Sequence, residues 1–433
     1  MDNKVVLFWF RRDLRLEDNA GLAEALQSGY KVLPVFIFDE EILSRLDDKY
    51  DRRVDYIHQA LAHIREDLAT FGSSIKTCFG KPLEVFKKLF TEHDIAAVYC
   101  NRDYEPQAIK RDMAIKKLAE EKGAGFYDFK DQVIFEHRDI LKADGMPYTI
   151  YTPYSNKWKA SLTPADYSAR KWRTEAFEKL KALPLPGLEA IGFEKTDITF
   201  TVPVLNAAII DSYDQYRDFP AMDHTTHLGI ALRFGTISIR KCVAFALEHN
   251  QTWLNELIWR EFFMQILFHF PKVVTHSFKA KYDHIKWRNN EEEFERWCNG
   301  ETGYPIVDAG MKQLNATGRM HNRVRMIVAS FLCKHLLIDW RWGEAYFAAK
   351  LLDYDLSANN GNWQWAAGCG CDAAPYFRVF NPTTQTEKFD KKLEYIKKWN
   401  PGFQTDLKPP VVKHEFARER VLAVYKKALE DNN

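Results

Sequence analysis

The sequence has few cysteines, no excess charge of either sign and no long apolar run. Seven cysteines in 433 residues is a sparse and odd count, which favours a reducing cytosol over a disulfide framework. The net charge of +1 excludes a globally basic nucleic-acid coat and leaves only a local basic patch open. No apolar run approaches the ~20 residues that span a bilayer, and Met1–Lys4 leads into a strand-like run rather than a signal peptide. We therefore expect a cytoplasmic protein without a membrane segment.

Aromatic residues, by contrast, are abundant. The protein has 12 Trp, 19 Tyr and 30 Phe, which together make 14% of its residues, and most of the tryptophans lie beyond residue 200. The hydrophobic content of 46% and charged content of 28% describe a folded protein, and its length predicts two or three domains. The tryptophan-rich C-terminal half is the first indication of where the function lies.

The first third of the sequence alternates between predicted strands and helices. Short apolar runs separated by charged helical stretches, such as Arg52–Phe71 and Pro106–Lys122, are typical of a doubly wound parallel sheet. The predicted strands are Val5–Phe10, Val32–Phe38, Ser74–Phe79, Ala96–Cys100 and Gly125–Phe129.

The rest of the sequence has a different pattern. Prolines and scattered aromatics between about residues 136 and 200 indicate a long connector, and helical periodicity without a convincing strand follows from about residue 206. The predicted organisation is an α/β domain at residues 1–130, a connector at 131–205 and an all-α domain at 206–433.

No Gly-x-Gly-x-x-Gly fingerprint follows the first predicted strand, where residues 11–16 read RRDLRL. That fingerprint allows the close approach of a pyrophosphate to the backbone. An oxidoreductase that binds a dinucleotide on this sheet is one hypothesis for the function, and the missing glycines count against it.

Two helical segments carry polar residues among large apolar ones. On the first, Glu256, Trp259, Arg260 and Phe263 share a face, and a buried carboxylate there must find a partner or shift its pKa. A structural pair between Glu256 and Arg260 is the simpler interpretation of that helix alone. On the second segment, Asn322, Arg325 and Met326 share a face, which offers an amide and a soft apolar contact for a ring.

The stretch from Leu352 to Trp365 is the most unusual in composition. It combines two aspartates, the sequence Asn359-Asn360-Gly361 and a Trp-x-Trp pair. We expect a ligand loop here, because polar groups can bind the edge of a heterocycle while tryptophans stack on its face. A plain surface turn would explain the Asn-Asn-Gly part alone.

Two other features have simpler interpretations. The hydroxyls at Asp223–Gly229 precede a predicted helix and could bind a phosphate or merely cap the helix. Cys369 and Cys371 have no partner spacing for a metal, so no metal site is predicted.

Two long segments resemble the photolyase/cryptochrome family. They are FWFRRDLRLEDN at residues 8–19 and WQWAAGCGCDAAPYFRVFNP at residues 363–382. The resemblance runs over nearly the whole sequence and implies FAD, folded on itself, in the helical domain. The positions that match FAD contacts of the family are Tyr213, Thr225, Thr226, His227, Leu228, Gly229, Asn322, Arg325, Asp353, Asp355 and Asn359. Gly229 departs from the serine usual there, Arg325 matches the arginine that pairs with the first aspartate, and Asn359 matches the position that faces flavin N5.

The resemblance also discriminates between branches of the family. Six residues match lesion-binding positions of class I cyclobutane pyrimidine dimer photolyases: Glu256, Trp259, Asn322, Arg323, Met326 and Trp365. The histidine pair of (6-4) photolyases is absent from the positions of Asn322 and Met326, and the adjacent His321 lies on another face. The implied activity is light-driven repair of cyclobutane pyrimidine dimers in DNA by an electron from excited reduced FAD.

The alternative is a blue-light receptor of the cryptochrome type with little or no repair activity. In plant cryptochromes an aspartate faces N5 and can protonate the flavin radical, whereas the neutral amide of Asn359 cannot act as such an acid. No signalling tail is expected beyond Asn433. Both features favour repair.

The resemblance further implies an electron route, a DNA-binding rim and an antenna. Trp363, Trp340 and Trp287 match the family's tryptophan triad, in order from the flavin outward, with Trp340 expected to end the helix that begins near Asn322. Arg323, Arg378, Lys388 and Lys391 are the candidate phosphate contacts. A second, antenna chromophore of unknown identity could bind near Asn101–Glu105, at the end of a predicted strand. A monomer that binds damaged DNA is the family expectation.

Overall fold

The computed structural model describes residues 4–406 and 408–430, so Met1 and the terminal Asn433 lie outside the described residues. Five strands form within the first third of the sequence, each within two residues of its predicted position. Their bounds are β1 Val5–Phe10, β2 Lys31–Asp39, β3 Lys76–Gly80, β4 Ile95–Asn101 and β5 Gly125–Phe129.

The five strands form one parallel sheet in the order β3-β2-β1-β4-β5. All six residues of β1, the central strand, are buried, as expected for a strand covered on both faces. The strand order reverses beside β1, because β2 lies on one side of it and β4 on the other. This is the topology of a doubly wound α/β domain, and the predicted fold class is confirmed.

Nineteen α-helices occur in the described residues. Their bounds are α1 Ala20–Leu26, α2 Glu40–Leu43, α3 Arg52–Thr70, α4 Pro82–Glu92, α5 Pro106–Glu121, α6 Tyr151–Ser161, α7 Ala207–Asp211, α8 Tyr213–Tyr216, α9 Gly229–Phe234, α10 Ile239–His249, α11 Gln251–His269, α12 Glu291–Asn299, α13 Pro305–Thr317, α14 Asn322–Ser330, α15 Trp340–Lys350, α16 Leu356–Ala367, α17 Pro382–Phe389, α18 Glu394–Trp399 and α19 His414–Glu430. Beyond residue 210 the described residues form helices and no strand. Within the described ranges, no helix is both long and apolar enough to cross a membrane.

Internal contacts divide the protein into two compact units. The α/β unit comprises residues 4–139, 161–205 and 227–248, and the helical unit comprises 140–160, 206–226 and the described residues from 249 onward. The domain boundaries that the sequence predicts at residues 130 and 205 stay a prediction. All seven cysteines lie within the described residues and are free thiols, in keeping with their sparse and odd number.

Helix α16 lies at the centre of the helical unit, where two glycines allow close packing. A Cβ on Gly343 of α15 would lie 2.1 Å from the ring of Trp363, and one on Gly361 would lie 2.1 Å from the ring of Phe263 on α11. Neither position can accept a larger side chain without displacing an aromatic ring. Glycine at these two sites therefore brings α15 and α11 against opposite parts of α16.

The prediction that Trp340 ends the helix begun near Asn322 is wrong. After α14 the backbone makes one π-helical segment, Phe331–Leu336, and Leu337 then adopts a left-handed φ of 53°. That backbone conformation terminates a helix. Asp339 caps a new helix by accepting from the backbone N–H of Arg341, so Trp340 is instead the first residue of α15.

Candidate active site

A pocket opens in the helical unit between α14, α16 and the segment that joins α15 to α16. It encloses about 610 Å³, including the part open to solvent. Its lining contains eight of the residues selected from the sequence: Asn322, Arg325, Met326, Asp353, Asp355, Asn359, Trp363 and Trp365. Residues far apart in the sequence are therefore brought to one site.

The stretch expected to be a ligand loop is mostly helical. Asp355 caps α16 through its Oδ1, which accepts from the backbone N–H groups of Ser357 at 3.1 Å and Ala358 at 3.3 Å. The sequence Asn359-Asn360-Gly361, which suggested a turn, lies inside the helix, where Gly361 leaves room for the ring of Phe263. The helix brings site residues together, because spacings of four place Asp355, Asn359 and Trp363 on one face of α16.

Arg325 and Asp353 form the ion pair that the resemblance implied. The Nη2 of Arg325 donates to both carboxylate oxygens of Asp353, at 3.0 and 2.9 Å, while its Nε donates to the carbonyl of Met320 at 2.8 Å. Both partners are half-buried. The pair fixes a cation and an anion at the pocket wall, where each keeps further hydrogen-bonding capacity for a polar ligand.

Asn359 is held by a residue that the sequence did not single out. Its Nδ2 donates to the carbonyl oxygen of Glu344 at 3.0 Å and to Oε1 of the same residue at 2.8 Å. Burial raises the pKa of Glu344, and the hydrogen bond from Asn359 opposes part of that rise. Nothing in the spacing of the sequence connects these two residues, because they lie on different helices.

Glu256 pairs with Arg217, and the simpler interpretation of a pair with Arg260 is not what the structure contains. Arg217 immediately follows α8 and reaches the carboxylate of Glu256 on α11. Burial raises the pKa of Glu256, whereas the guanidinium of Arg217 lowers it and the nearby Asp218 raises it further. The carboxylate therefore keeps a charge partner in an apolar surrounding.

The two tryptophans expected to wall a lesion cavity have different surroundings. Trp365 is half-buried and lines the pocket. Trp259 lies on α11 and stacks on Tyr151, with ring centroids 3.6 Å apart and planes inclined by 5°. Tyr151 is fixed in turn, because its hydroxyl donates to the carbonyl of Asn255 at 2.9 Å and its backbone N–H donates to Asp372 at 2.9 Å. Among described residues, neither Trp259 nor Glu256 lines the pocket.

The residues expected to contact the phosphates and the ribityl group fall at short helices. Tyr213 begins α8, and burial, followed by the charge of Glu256, raises the pKa of its phenol. Thr225 and Thr226 are half-buried, His227 has a left-handed φ of 52°, and Leu228 precedes α9 with its side chain buried. Gly229 is the first residue of α9 and is exposed.

The three tryptophans of the expected electron route belong to, or pack against, one hydrophobic core that is rich in aromatic rings, called here the aromatic core. Trp340 and Trp363 are buried members of it, and the half-buried Trp287 packs against it. The ring of Trp363 contacts Phe347 and Trp297, and Trp287 contacts Tyr425 at 6.0 Å. The indole Nε1 of Trp340 is buried and has no hydrogen-bond partner in the described part of the protein, while the guanidinium of Arg341 lies 4.7 Å from its ring.

The four basic residues expected at a DNA-binding rim are not alike. Arg323 is half-buried, donates to Asp218 at 2.7 Å and lies over the ring of Phe389 at 4.4 Å. Arg378, Lys388 and Lys391 are exposed. Only the last three present a charge to solvent without an ion pair in the described residues.

The pocket fits a flavin on the chemistry of its lining. A flavin presents a flat ring, polar ring edges and an anionic phosphate group, and the lining supplies indole faces, three amides, two carboxylates and a guanidinium. The Oδ1 of Asn359 accepts no hydrogen bond from the described residues, so an acceptor remains for a ligand.

Comparison with known families gives two matches. Residues 6–175 match the DNA photolyase family and residues 253–423 match the FAD-binding domain of DNA photolyase. The second range contains α11, α14 and α16, and therefore most of the pocket. The helical unit is thus an FAD-binding domain.

Curated relatives extend the match to nearly the whole protein. The deoxyribodipyrimidine photo-lyase of Salmonella typhimurium is 37% identical, and the alignment covers 98% of both proteins. That of Synechococcus sp. is 38% identical over 92% of this protein and 87% of the relative.

Among solved structures, a bacterial class III photolyase from Agrobacterium tumefaciens has a TM-score of 0.89 at 32% identity, covering 99% of this protein and 98% of the other. An archaeal photolyase from Sulfolobus tokodaii with two FAD molecules has a TM-score of 0.84 at 34% identity, covering 98% and 99%. The cryptochrome of Synechocystis sp., at 24% identity and a TM-score of 0.81, shares the fold and covers 97% of this protein and 99% of its own length. The protein belongs to the DNA photolyase family.

Proposed function

We propose that this protein is a deoxyribodipyrimidine photo-lyase that uses light to split cyclobutane pyrimidine dimers in DNA. One observation carries the proposal: a single pocket is lined by residues matched to both ligands. Five residues matched to FAD line it, and so do Met326 and Trp365, which are matched to the lesion. The five are Asn322, which is matched to both ligands, Arg325, Asp353, Asp355 and Asn359. A donor and an acceptor of an electron can therefore occupy adjoining parts of one site.

The flavin would be held from several elements. We assign the ring edge to Asn359, Asp355 and the Arg325–Asp353 pair, and the phosphates and ribityl group to Tyr213 and the segment from Thr225 to Gly229. Reduced FAD, once excited by light, supplies the electron that opens the cyclobutane ring and takes it back afterwards. No net oxidation or reduction results.

The lesion would enter the pocket from the DNA. A dimer has to leave the duplex to reach the flavin, and its weakened stacking lowers a cost of a few kcal/mol. Glu256 would hydrogen-bond the edge of the dimer that carries its carbonyls. Trp259 and Trp365 would pack on the dimer, and Arg323 would bind a flanking phosphate beside the exposed Arg378, Lys388 and Lys391.

A separate set of residues would restore the reduced cofactor. We assign this route to Trp363, Trp340 and Trp287, which belong to or pack against one aromatic core. The guanidinium of Arg341 lies 4.7 Å from the ring of Trp340 and is itself paired with Asp283 and Asp339. A hole on Trp340 would pass on toward the half-buried Trp287.

The remaining assignments follow from the family. We propose residues 1–130 as an antenna domain, 131–205 as a connector and 206–433 as the FAD-binding catalytic domain of a cytoplasmic monomer. A second chromophore would bind near Asn101–Glu105. Its chemical identity is left open, although one solved relative is described with two FAD molecules.

The decisive experiment illuminates the protein, with its FAD chemically reduced, in the presence of an oligonucleotide that contains one cyclobutane thymine dimer. We expect loss of the dimer and recovery of two intact thymines, measured by chromatography, with no change in the dark. An oligonucleotide with a (6-4) photoproduct is the matched substrate control and should stay unchanged. Unchanged dimers after illumination would overturn the proposal and favour a blue-light receptor.

A further inference from the structure

Helix α6 lies in the stretch of sequence that was predicted to be a connector, yet it belongs mostly to the helical unit. Its first residue, Tyr151, is half-buried and packs against α11, the helix that carries Glu256 and Trp259. No residue of α6 has a part in the proposed binding of FAD or of the dimer. The contacts between α6 and α11 therefore need an explanation of their own.

The ring of Tyr151 covers one face of the Trp259 indole. The two centroids lie 3.6 Å apart and the planes are inclined by 5°, so the rings are in van der Waals contact face to face. The other rings beside Trp259 are farther away, with the centroids of Phe262 and Phe263 at 5.6 and 5.5 Å. A base cannot enter between two rings in contact, so a flat ligand can stack on the indole only on the face that Tyr151 leaves uncovered.

Tyr151 is itself fixed by hydrogen bonds at both of its ends. Its hydroxyl donates to the carbonyl of Asn255, one turn before Trp259 on α11, at 2.9 Å, and its backbone N–H donates to Oδ2 of Asp372 at 2.9 Å. Burial raises the pKa of its phenol to about 12, so the hydroxyl keeps the hydrogen that it donates. The ring is thereby attached to the same helix that carries the indole.

The rest of α6 is anchored to α11 independently of the stacked rings. The hydroxyl of Tyr154 and the indole N–H of Trp158 both donate to Oε1 of the buried Glu261, at 3.2 and 2.6 Å. Spacings of three and four residues place Tyr151, Tyr154 and Trp158 on one face of α6. Because Glu261 holds the helix, a change at Tyr151 should alter the surroundings of Trp259 and leave α6 in place.

We propose that Tyr151 is a positioning residue that fixes the plane of the Trp259 indole before the dimer stacks on it. The inference rests on the proposed function only in taking the dimer as the ligand of Trp259. Ordering a free side chain on binding lowers affinity, and an indole that already has one orientation avoids that loss. Undamaged DNA places no base against Trp259, so Tyr151 contributes to the recognition of damage and not to the binding of DNA in general.

The first test follows the indole and needs no DNA. The full-length protein is labelled with 5-fluorotryptophan and loaded with FAD, and Trp259→Phe identifies the ¹⁹F signal of that residue. We expect one narrow signal in the parent, because the indole has one orientation. Tyr151→Leu should shift and broaden the signal, whereas Tyr151→Phe keeps the ring and should leave it narrow. Tyr50→Leu, at an exposed position of the α/β unit, is the control and should leave the signal unchanged.

The second test measures recognition by fluorescence anisotropy with dimer-containing and undamaged oligonucleotides. Tyr151→Leu should weaken binding of the dimer by about three- to tenfold, the range that corresponds to the loss of one aromatic pair, and should leave binding of undamaged DNA unchanged. Tyr151→Phe should bind both DNAs as the parent does. The yield of repair at saturating protein should also equal that of the parent, because only the orientation of the indole before binding has changed.

Several results would overturn the proposal. A Trp259 signal that stays narrow in Tyr151→Leu is one, and binding of the dimer by that variant with the parent's affinity is another. Equal weakening for the two DNAs would mark a general structural role and would count against it as well.

A measurement on the parent covers a Leu variant that fails to fold. The ¹⁹F–¹H Overhauser effect between Trp259 and the ring of Tyr151 should persist when dimer-containing DNA binds, and its disappearance would refute the inference. A parent that gives the expected ¹⁹F signals but binds damaged and undamaged DNA equally would count against the proposed function alone.

Discussion

Asp131 in the α/β unit has surroundings opposite to those of Glu256 and Glu344 in the helical unit. In the α/β unit, Asp131 accepts from Arg15 at 2.7 Å, from Arg240 at 2.8 Å and from the backbone N–H of Ala20 at 3.1 Å. Burial would raise its pKa, but the two guanidiniums outweigh burial and hold the pKa below its usual value. Arg240 is also paired with the buried Asp18, so Asp131 has two cations as partners within a cluster of two cations and two anions.

In the helical unit the balance is reversed. Glu344 has one amide as its side-chain partner, and Glu256 has one guanidinium; burial raises the pKa of both. An anion with too few partners is held at some cost in stability, and such groups cluster at functional sites. The difference teaches that the partners of Asp131 hold that part of the fold together, while Glu256 and Glu344 have fewer partners and retain hydrogen-bonding capacity.

The largest expected effect is the loss of FAD photoreduction, and the substitution that causes it lies in the helical unit. Trp340→Phe should abolish light-driven reduction of oxidised FAD by an external thiol, because phenylalanine is far harder to oxidise than an indole. Repair should persist when FAD is chemically reduced beforehand. The loss of flavin absorbance under illumination measures the rate. Trp172→Phe in the α/β unit is the control, and a Trp340 variant that photoreduces at the parent rate would redirect the route to Trp342.

The next effect belongs to the α/β unit. Asp131→Asn should lower the free energy of unfolding by about 3–5 kcal/mol, since the buried guanidinium of Arg15 loses its anion and that of Arg240 keeps only Asp18. Chemical denaturation followed by circular dichroism measures the change in the free energy of unfolding. The exposed Asp144→Asn should change little. If both substitutions have equally small effects, the structural role of the Asp131 cluster is wrong.

Glu256→Gln should act on ligand binding and leave stability close to that of the parent. Loss of a charged hydrogen-bonding partner corresponds to about 1.5–3 kcal/mol, or more than about tenfold weaker binding of dimer-containing DNA. Binding of undamaged DNA should be unaffected, and fluorescence anisotropy with both oligonucleotides provides the comparison. Equal weakening for the two DNAs would place Glu256 outside the lesion site.

The buried imidazole of His335 should make the free energy of unfolding depend on pH in the acid range. His335 is fully buried with its Nε2 2.9 Å from Nδ1 of His414, and burial, His414 and Arg420 lower its pKa to about 3. Because the unfolded histidine binds a proton near about pH 6.5, the stability that the neutral form provides is complete above that pH and is lost as the pH falls toward about 3. The slope should be at most about 1.4 kcal/mol per pH unit.

His335→Gln removes that titration and should flatten the unfolding free energy between about pH 6.5 and about pH 4. The exposed His276→Gln is its control and should keep the parent slope. Identical slopes in the parent and the His335 variant would show that the buried ring does not govern acid sensitivity.

The smallest effect concerns the rim. Lys388→Gln and Lys391→Gln should each lower the salt slope of duplex binding by about 0.9, since each removes one phosphate contact. Lys110→Gln, at an exposed site of the α/β unit, should leave the slope unchanged. Anisotropy titrations across a range of salt concentrations decide whether DNA binds only to the helical unit's rim.

The sequence was most informative where local pattern determines structure. Strand β5 was predicted to the residue because a short aromatic run bounded by glycine leaves few alternatives, and Arg52–Phe71 was recognised as α3 by its helical periodicity. Where a tertiary contact overrides a local preference, prediction failed. Asn359-Asn360-Gly361 favours a turn by itself, yet it lies inside α16, where Gly361 leaves room for the ring of Phe263.

Eight of the residues selected from the sequence line one pocket, but the hydrogen-bonding partners of the predicted site residues were missed. Resemblance supplied Asn359 and Glu256, but their neighbours Glu344 and Arg217 are 15 and 39 residues away in the sequence. Neither periodicity nor composition encodes which helix packs against which. Such pairs become visible only when the fold is known.

The placement of Asp355, Asn359 and Trp363 on one face of α16 has a consequence for engineering. One added residue ahead of Asn359 would rotate the positions after it by about 100° and would carry the amide and the indole away from the pocket together. Conversely, the 12 residues of α16 contain a large share of this chemistry in portable form, provided that the neighbouring helix places a glycine opposite the indole. A transplant of α16 into a designed helical bundle would have to bring Gly343 and Glu344 with it, since they provide the space for the ring and the orientation of the amide.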